Sequence, residues 1–351
     1  MISLPGLVDA HTHMRDPGQT HKESWATGTA AALAGGFTTV LAMPNTDPPA
    51  TDHAGFTAAA KAAAAGARCD FGLFAGATTT NVAKVSSLSG AVALKMYLDP
   101  TFGDLRLPTM DGWWDHMETW LARPIAVHAE GPALGAIVLI AELLDRSIHI
   151  CHVSRRDEIL LIRRAREKGI MITCEVAPHH LVLDEDDLTR LGGTAAVRPA
   201  LGLPADRAAL WEHLEVIDCF ATDHAPHTLS EKTGPNPPPG FPGLETALPL
   251  LLGAVHDGKL EVADLVARLH TNPRRIFGLG DAPADTRVEV DLDATWRFDP
   301  ARAHTRCDWS PFTGMELRGR VERVVLRGEE VFADGEVFAP PGTGCDEIGE
   351  A

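Results

Sequence analysis

Short apolar runs recur along the chain, and each of them is followed by a stretch that can form a helix. Strands that alternate with helical stretches in this way are typical of a (β/α)8 barrel. We therefore predict the α/β class, a (β/α)8 TIM barrel over residues 1–284. The predicted strands are Gly6–His11, Thr38–Met43, Cys69–Phe74, Ala91–Tyr97, the runs that end at His128 and His152, Met171–Glu175, and the run that ends at Asp223.

Beyond Arg287 the pattern changes to short stretches in which apolar and polar residues alternate. Such alternation over a few positions indicates half-buried strands. We predict a small, mostly C-terminal β appendage over residues 285–351, packed on the barrel. Its predicted strands are Arg287–Val290, Val321–Arg327 and Glu330–Phe338.

The composition fits a large core and narrows the classes of partner. The chain has 351 residues, of which 45% are hydrophobic and 23% charged, and its net charge is −17. A nucleic-acid-binding protein would present a basic face, so we expect no nucleic-acid partner. No apolar run approaches the roughly 18 residues of a membrane span, and no secretory signal pattern opens the chain. The six cysteines form no Cys-x-x-Cys pair, which favours buried, reduced thiols and a cytoplasmic protein.

Residues that can bind a metal recur where the predicted strands end. His11 and His13 are two apart, and residues two apart on a strand point to the same side. His128, His152 and Asp223 end three later strands. One histidine on an apolar run is usually a core residue, but the repetition favours a site, because catalytic groups of these barrels lie at the carboxyl ends of several strands. Imidazole suits zinc, copper, iron and nickel, so we predict a metal site.

Lys95 stands in the middle of the predicted fourth strand. The plain interpretation is a strand lysine with its ammonium in solvent. Burial instead favours the neutral amine, and a neutral amine can take up CO₂ to give an anionic carbamate whose two oxygens can bridge two metals. The remaining ligands would be His11, His13 and Asp223 at one metal and His128 and His152 at the other.

Three further groups near these strand ends have more than one interpretation. Asp223 can accept and return a proton beside the metals, a kind of help that contributes roughly 10²–10⁴-fold to a rate. Cys151 and Glu175 are additional candidate metal ligands. It is equally plausible that Cys151 is a thiol of the core and that Glu175 is an acid that hydrogen-bonds to the metal ligands without binding a metal itself.

Ten short motifs, spread over nearly the whole chain, carry a resemblance to one family. They are Asp9–Gly18, Gly28–Gly36, Met43–Thr46, Leu94–Leu98, Thr101–Leu107, Ile150–His152, Thr173–His180, Val197–Pro199, Asp223–His227 and Pro237–Thr246. On these motifs the chain resembles the dihydroorotases of the amidohydrolase superfamily, most closely the dihydroorotase domains of animal multifunctional pyrimidine-synthesis polypeptides.

The resemblance implies two zinc ions, with room for a third, bridged by Lys95 as N6-carboxylysine formed from CO₂. In the loop Asp99–Leu107 we predict a lid over bound substrate, formed by Thr101 and Phe102; an ordinary exposed loop is the alternative. Family members often carry a β-sandwich built from both termini. Only five residues precede the first predicted strand here, so we expect the N-terminal strands to be missing. The implied substrate-binding residues are Arg15, Asn45, Arg198 and His227 for a carboxylate, with Ala225, Pro239 and Gly240 beside them.

The function that the resemblance implies is the reversible, zinc-dependent cyclisation of N-carbamoyl-L-aspartate to (S)-dihydroorotate in de novo pyrimidine biosynthesis. In the hydrolytic direction a metal-bridging hydroxide would attack the ring amide carbonyl, and Asp223 would pass the proton to the leaving nitrogen. Beyond this substrate, the expected partners are a second copy of the chain in a homodimer and an aspartate carbamoyltransferase.

Two other functions stay open on the sequence alone. A cyclic amidase of the dihydropyrimidinase or allantoinase type would share the metal ligands, but its substrate lacks the carboxylate that Arg15, Asn45 and Arg198 would bind. A non-catalytic homologue would act as a scaffold for aspartate carbamoyltransferase. Such homologues lose metal ligands, whereas all six ligand positions here hold competent residues.

Overall fold

The computed structural model describes residues 1–121 and 123–348. Within them the strands are β1 (Ile2–Pro5), β2 (Leu7–Thr12), β3 (Phe37–Ala42), β4 (Asp70–Gly76), β5 (Ala91–Tyr97), β6 (Ile125–His128), β7 (Ile148–Ile150), β8 (Ile172–Val176), β9 (Cys219–Phe220), β10 (Arg287–Arg297), β11 (Glu316–Leu326), β12 (Glu329–Ala333) and β13 (Glu336–Val337). The helices are α1 (Trp25–Ala34), α2 (His53–Gly66), α3 (Val82–Val85), α4 (Met110–Thr119), α5 (Gly131–Leu143), α6 (Arg156–Glu167), α7 (Pro178–Val182), α8 (Leu188–Leu191), α9 (Pro204–Glu212), α10 (Leu229–Lys232), α11 (Leu244–His256), α12 (Val262–Val266) and α13 (Asn272–Phe277).

Strands β2 to β9 form a parallel sheet in which each strand pairs with the next one along the chain. The sheet closes where Thr12 bridges to His224, and the His13 N–H donates to the His224 carbonyl at 2.8 Å. Helices follow the strands and cover the outside of the sheet. The predicted (β/α)8 barrel is therefore confirmed, and the carboxyl ends of its strands meet at one face.

Two strands end earlier than predicted. β7 stops at Ile150 and β9 at Phe220, whereas the expected ends were His152 and Asp223. The reason is the backbone: His152 has a φ of 36° and Asp223 a φ of 47°, a left-handed conformation that a strand cannot hold. Such conformations in residues other than glycine cost energy and cluster at functional sites. The chain therefore turns sharply where each of these side chains enters the barrel mouth.

The interior of the barrel is filled by apolar side chains from successive strands, among them Val8, Leu41 and Phe74. Phe277, from α13, belongs to the same core cluster and packs edge-on against Phe74 with a ring separation of 5.7 Å. The packed interior gives the site a rigid floor, since protein cores are close-packed.

A second, antiparallel sheet has the strand order β1–β10–β11–β12–β13. Its first strand corrects the expectation that N-terminal strands are missing, because Ile2 pairs with Val290 and Pro5 with Arg287. The sequence did not reveal β1, since a four-residue strand acquires its partner only from a distant segment. The appendage is mostly but not purely C-terminal, and the division of the chain into residues 1–284 and 285–351 stays a prediction.

After β13 the chain returns to the barrel. The Phe71 N–H donates to the Cys345 carbonyl at 2.9 Å, and Arg274 forms an ion pair with Glu347 at 3.1 Å. Cys345 is exposed, which corrects the expectation of buried thiols at that position; the other five cysteines are buried. In the part of the chain that the structure describes, no helix has both the length and the apolar character needed to span a bilayer.

Candidate active site

The first group of ligand atoms lies at the carboxyl end of β2. His11 Nε2 is 3.3 Å from Asp223 Oδ1, and His13 Nε2 is 3.2 Å from the same oxygen. All three side chains are buried, and their nitrogen and oxygen atoms lie within 4.8 Å of one another. Two imidazole nitrogens and a carboxylate oxygen that face one point are donors of the type that zinc prefers.

The second group consists of His128 and His152. His128 Nδ1 is 2.9 Å from His152 Nε2, and the His152 ring is 5.2 Å from the His11 ring between centroids, which brings the two groups next to each other. His152 Nδ1 is buried without a hydrogen-bond partner. Burial lowers the pKa of both His128 and His152, so both rings are neutral and keep a lone pair for a metal.

Lys95 is fully buried in β5, so the interpretation with its ammonium in solvent is wrong. Its Nζ donates to Cys151 Sγ at 2.9 Å and lies 5.1 Å from the centre of the Tyr97 ring. Neither neighbour is a carboxylate, and no ion pair of Lys95 occurs among residues 1–121 and 123–348. A buried ammonium without a counter-charge is costly, and this cost favours a neutral or chemically modified group at this position.

Glu175 stands behind the histidines. His11 Nδ1–H donates to Glu175 Oε1 at 2.5 Å, and His149 contacts Glu175 Oε2 through Nε2 at 3.2 Å. A ligating histidine commonly donates its second ring N–H to a carboxylate, which fixes the orientation of the ring. Glu175 thus turns His11 Nε2 towards Asp223. Of its two sequence interpretations, this geometry favours the supporting acid, although His11, Cys151 and Glu175 also form a cluster that could hold an ion.

Neighbouring charges and burial shift the pKa values of Asp223 and His13 in the first group. Burial raises the pKa of Asp223, but His11 and His13 lower it by more, so the carboxyl group is held ionised. Burial lowers the pKa of His13 to about 4, and Arg15 adds to this effect. His13 Nδ1 lies 2.6 Å from Asn45 Oδ1. A neutral His13 with its Nδ1–H donated to Asn45 therefore keeps its Nε2 lone pair on the side of Asp223.

Arg15 is buried next to this group, with 2% of its surface exposed and a φ of 58°. Its Nε donates to the Pro226 carbonyl at 3.1 Å, its Nη2 lies 3.2 Å from His227 Nε2, and its Nη1 has no partner. A buried guanidinium with an unpartnered nitrogen is the feature of an anion receptor, because arginine binds carboxylates through a planar fork.

The other predicted carboxylate residues divide into two sets. Asn45 contacts the buried His13, which lies two residues before Arg15. Arg198 is exposed, and its Nη1 donates to the carbonyl of the adjacent Val197 at 3.4 Å. The sequence motifs alone did not separate the buried arginine from the exposed one.

Ala225, Pro239 and Gly240, three further predicted substrate-binding residues, lie close together beside His227. His227 Nε2 lies 3.1 Å from the Pro239 carbonyl. Gly240 has a φ of +143°, and a Cβ at this position would come within 2.4 Å of the Ala225 carbonyl oxygen. Only glycine allows the two segments to approach so closely.

The loop in which we predicted a lid lies next to Arg15 and His227. The Phe102 ring is 4.8 Å from the His227 ring and 5.1 Å from the Arg15 guanidinium. Its carbonyl accepts a hydrogen bond from Asn45 Nδ2 at 3.4 Å, and Thr101 beside it is half-buried.

Four buried polar residues near the site were not predicted from the sequence. Lys22 is buried against His227, His149 contacts Glu175, and His179 and His180 each bury an Nε2 atom without a partner. The adjacent pair His179–His180 after a strand was a usable signal. Lys22 and His149 gave none, because their contacts are made across the fold.

The donor set of the two groups fits a metal-dependent enzyme. Neutral imidazoles, an ionised carboxylate and a buried lysine converge, and His152 Nδ1 is orphaned. A family model described as the amidohydrolase family matches residues 2–282. The chain belongs to the amidohydrolase family.

Within this family, the relatives identify a narrower group. Multifunctional protein CAD of Squalus acanthias is 53% identical over 349 residues, which are 99% of this chain and 16% of that protein. The dihydroorotase of Methanothermobacter thermautotrophicus is 35% identical over 375 residues, with 95% of this chain and 85% of that protein covered. The resemblance to dihydroorotases is confirmed. The chain spans only a small part, 16%, of the multifunctional relative.

Solved structures share the whole fold. L-hydantoinase (dihydropyrimidinase) from Arthrobacter aurescens superimposes with a TM-score of 0.94 at 26% identity, covering 98% of this chain and 88% of that one. The inactive dihydroorotase-like domain of the Chaetomium thermophilum CAD-like multifunctional protein gives a TM-score of 0.83 at 30% identity and covers 98% of both chains. Since active and inactive proteins share this fold, the chemistry must be argued from the side chains.

Proposed function

We propose that this protein is a dihydroorotase, which interconverts N-carbamoyl-L-aspartate and (S)-dihydroorotate in de novo pyrimidine biosynthesis. The observation that carries the proposal is the buried Arg15, with a free Nη1, beside a cluster of metal-ligating side chains. This arrangement supports a carboxylate-binding site next to a centre that could hydrolyse an amide. Relatives that are themselves dihydroorotases support the same conclusion.

Arg15 binds the substrate carboxylate through its terminal nitrogens. The Phe102 ring covers the guanidinium and reduces its contact with water, and hydrogen bonds to a charged group strengthen when water is excluded. Asn45, which donates to the Phe102 carbonyl, and His227, which lies beside Arg15 Nη2, hold the groups around the guanidinium in place. Arg198, at the exposed rim, attracts the anion but contributes less to holding it. Ala225, Pro239 and Gly240 shape the wall beside it.

Two zinc ions would be held by His11, His13 and Asp223 on one side and by His128 and His152 on the other, with Lys95 as N6-carboxylysine between them. Zinc, when bound, supplies water activation and polarisation of the amide carbonyl. The burial of Lys95 without a counter-charge supports the modification, in which the amine adds to CO₂ and releases one proton. A third ion at Cys151 and Glu175 has weaker support, since Glu175 already accepts from His11 and contacts His149.

Asp223 moves the proton. In hydrolysis it accepts the proton of the attacking water and returns it to the ring nitrogen as the carbon–nitrogen bond breaks. In cyclisation the same carboxylate takes the proton from the carbamoyl nitrogen as the carbon–nitrogen bond forms, and passes it to the departing hydroxide, which leaves as water. Its left-handed backbone and its contacts with His11 and His13 hold Oδ1 in place for both steps.

The two alternatives fit the site less well. A cyclic amidase whose substrate lacks a carboxylate would leave the buried Arg15 without an anion. A non-catalytic scaffold would have no need for buried, neutral His128 and His152 that face each other at 2.9 Å. An aspartate carbamoyltransferase partner and a homodimer are further proposals, the first supported by the relatives that are multifunctional proteins. Size-exclusion chromatography with and without the carbamoyltransferase tests both.

The proposed function is tested by assaying the zinc-loaded protein on dihydroorotate and on dihydrouracil, the same ring without the carboxylate. We expect hydrolysis of dihydroorotate and little of dihydrouracil, and zinc in the purified protein by elemental analysis. Better turnover of dihydrouracil would refute the assignment, and zinc-loaded protein inactive on both would favour the scaffold.

A further inference from the structure

Lys22 is a buried lysine just before α1 that the chemistry above does not use. Only 5% of its surface is exposed. Its Nζ lies 3.1 Å from His227 Nδ1, 3.2 Å from Glu231 Oε1 and 4.5 Å from the centre of the Phe102 ring. One ammonium thus contacts the receptor histidine, an acid of α10 and the lid residue.

These contacts determine which nitrogen of His227 carries the proton. A lysine ammonium and an arginine guanidinium both have donors only, so a neutral His227 can accept either from Lys22 at Nδ1 or from Arg15 at Nε2, but not from both. Burial, with the charges of Arg15 and Lys22 beside it, holds the pKa of His227 far below its usual range, so the ring is neutral. A neutral ring that accepts at Nδ1 carries its proton on Nε2. The Pro239 carbonyl, 3.1 Å from Nε2, favours this arrangement over the opposite one, because a carbonyl can only accept and therefore pairs with Nε2–H.

The tautomer in turn decides what Arg15 can do. Arg15 Nη2 is 3.2 Å from His227 Nε2. Because Nε2 carries a proton, it cannot accept from Nη2, and both terminal nitrogens of Arg15 keep N–H groups for an anion. In the opposite tautomer, Nε2 would accept from Nη2, half of the guanidinium fork would be occupied, and the Pro239 carbonyl would lose its donor.

We propose that Lys22 is a positioning residue for carboxylate binding: its ammonium fixes His227 in the Nε2–H tautomer, which leaves both terminal nitrogens of Arg15 free for the anion. The same ammonium attracts the face of the Phe102 ring and helps to seat the lid above the receptor. That the anion is the carboxylate of dihydroorotate rests on the proposed function, whereas the tautomer does not.

The tautomer is measured by long-range ¹H–¹⁵N correlation spectra of the zinc-loaded protein labelled with ¹⁵N-histidine, with His227 assigned from the signals lost in His227→Gln. We expect Nε2–H in the wild type and in Lys22→Arg, which keeps a charged donor. In Lys22→Met, which keeps the length but no donor, we expect Nδ1–H to appear. The exposed Lys61→Met serves as a matched control with wild-type spectra.

Kinetics test the consequence for binding. In Lys22→Met we expect the KM for dihydroorotate to rise about tenfold or more, with a smaller change in kcat, unchanged zinc content, and partial recovery in Lys22→Arg. An Nδ1–H tautomer in the wild type overturns the inference, even if Lys22→Met does not fold. An unchanged tautomer in Lys22→Met, or a changed tautomer with an unchanged KM, overturns it as well. Failure of the wild type to hydrolyse dihydroorotate would refute the proposed function, while the spectra would still decide the role of Lys22.

Discussion

Replacing Arg15 with alanine should weaken substrate binding far more than the same change at Arg198. The two residues carry the same charge but lie in different environments. Arg15 is 2% exposed under the Phe102 ring, whereas Arg198 is exposed. Alanine retains the Cβ, so the left-handed backbone at residue 15 is strained to the same degree before and after the change.

The magnitudes follow from burial. A hydrogen bond to a charged group contributes about 1.5–3 kcal/mol, and about 1.4 kcal/mol corresponds to a factor of ten. Arg15→Ala should therefore raise the KM for dihydroorotate by roughly 10- to 100-fold for each lost bond of the fork. Exposed ion pairs contribute about 0.2–1 kcal/mol, so Arg198→Ala should raise it less than about fivefold.

The assay is the hydrolysis of dihydroorotate over a range of concentrations, with zinc content and thermal melting measured on each variant. Arg15→Lys is the matched control, because it keeps the charge and loses the planar fork, and its KM should lie between the wild type and Arg15→Ala. If Arg198→Ala raised KM as much as Arg15→Ala, the exposed arginine would contribute as much to binding the carboxylate as the buried one. That result would refute the proposal that Arg15 is the main carboxylate-binding residue.

Three further changes test other parts of the structure. Lys95→Ala should abolish activity and lower the zinc content, since it removes the group that we propose as the bridge, whereas Lys61→Ala at an exposed position should do neither. Two bound zinc ions and normal turnover in Lys95→Ala would contradict the proposed bridge. The double variant Thr101→Ala, Phe102→Ala should reduce turnover and leave zinc content and folding intact, because it uncovers Arg15. Unchanged turnover would show that the loop only connects two elements of the barrel and does not act as a lid. Burial raises the pKa of Glu245 from 4.5 to about 7. Between these two values the folded protein holds a proton on Glu245 that the unfolded chain releases. The stability that this group contributes therefore falls as the pH rises from 4.5 to about 7. Melting temperatures between pH 5 and 8 should therefore fall less in Glu245→Gln than in the wild type, and parallel curves would show that Glu245 titrates normally.

The sequence predicted the barrel well, because apolar runs and the helices between them are local patterns. The same runs placed His11, His13 and His128 at strand ends, since a polar residue that closes an apolar run stands out in one dimension. The early ends of β7 and β9 were missed, because the left-handed backbone at His152 and Asp223 is imposed by their place in the barrel mouth.

What the sequence could not predict depends on contacts between distant segments. Lys22 meets His227 across 205 positions of the chain, and Glu175 meets His11 across 164. No local pattern records such a pairing. The contrast between buried Arg15 and exposed Arg198 has the same origin, because both lie in motifs and only the fold decides which one is covered.

The pairing of β1 with β10 and the return of the chain to β4 place both described ends of the protein at the amino-terminal side of the barrel strands. Ile2–Pro5 leads directly into β2, and Cys345 pairs beside Phe71 near the start of β4. Arg15 and Phe102 lie at the opposite side, where the strands end. Additional polypeptide joined at either end would therefore emerge on the side away from Arg15 and Phe102, and would leave that face of the barrel open.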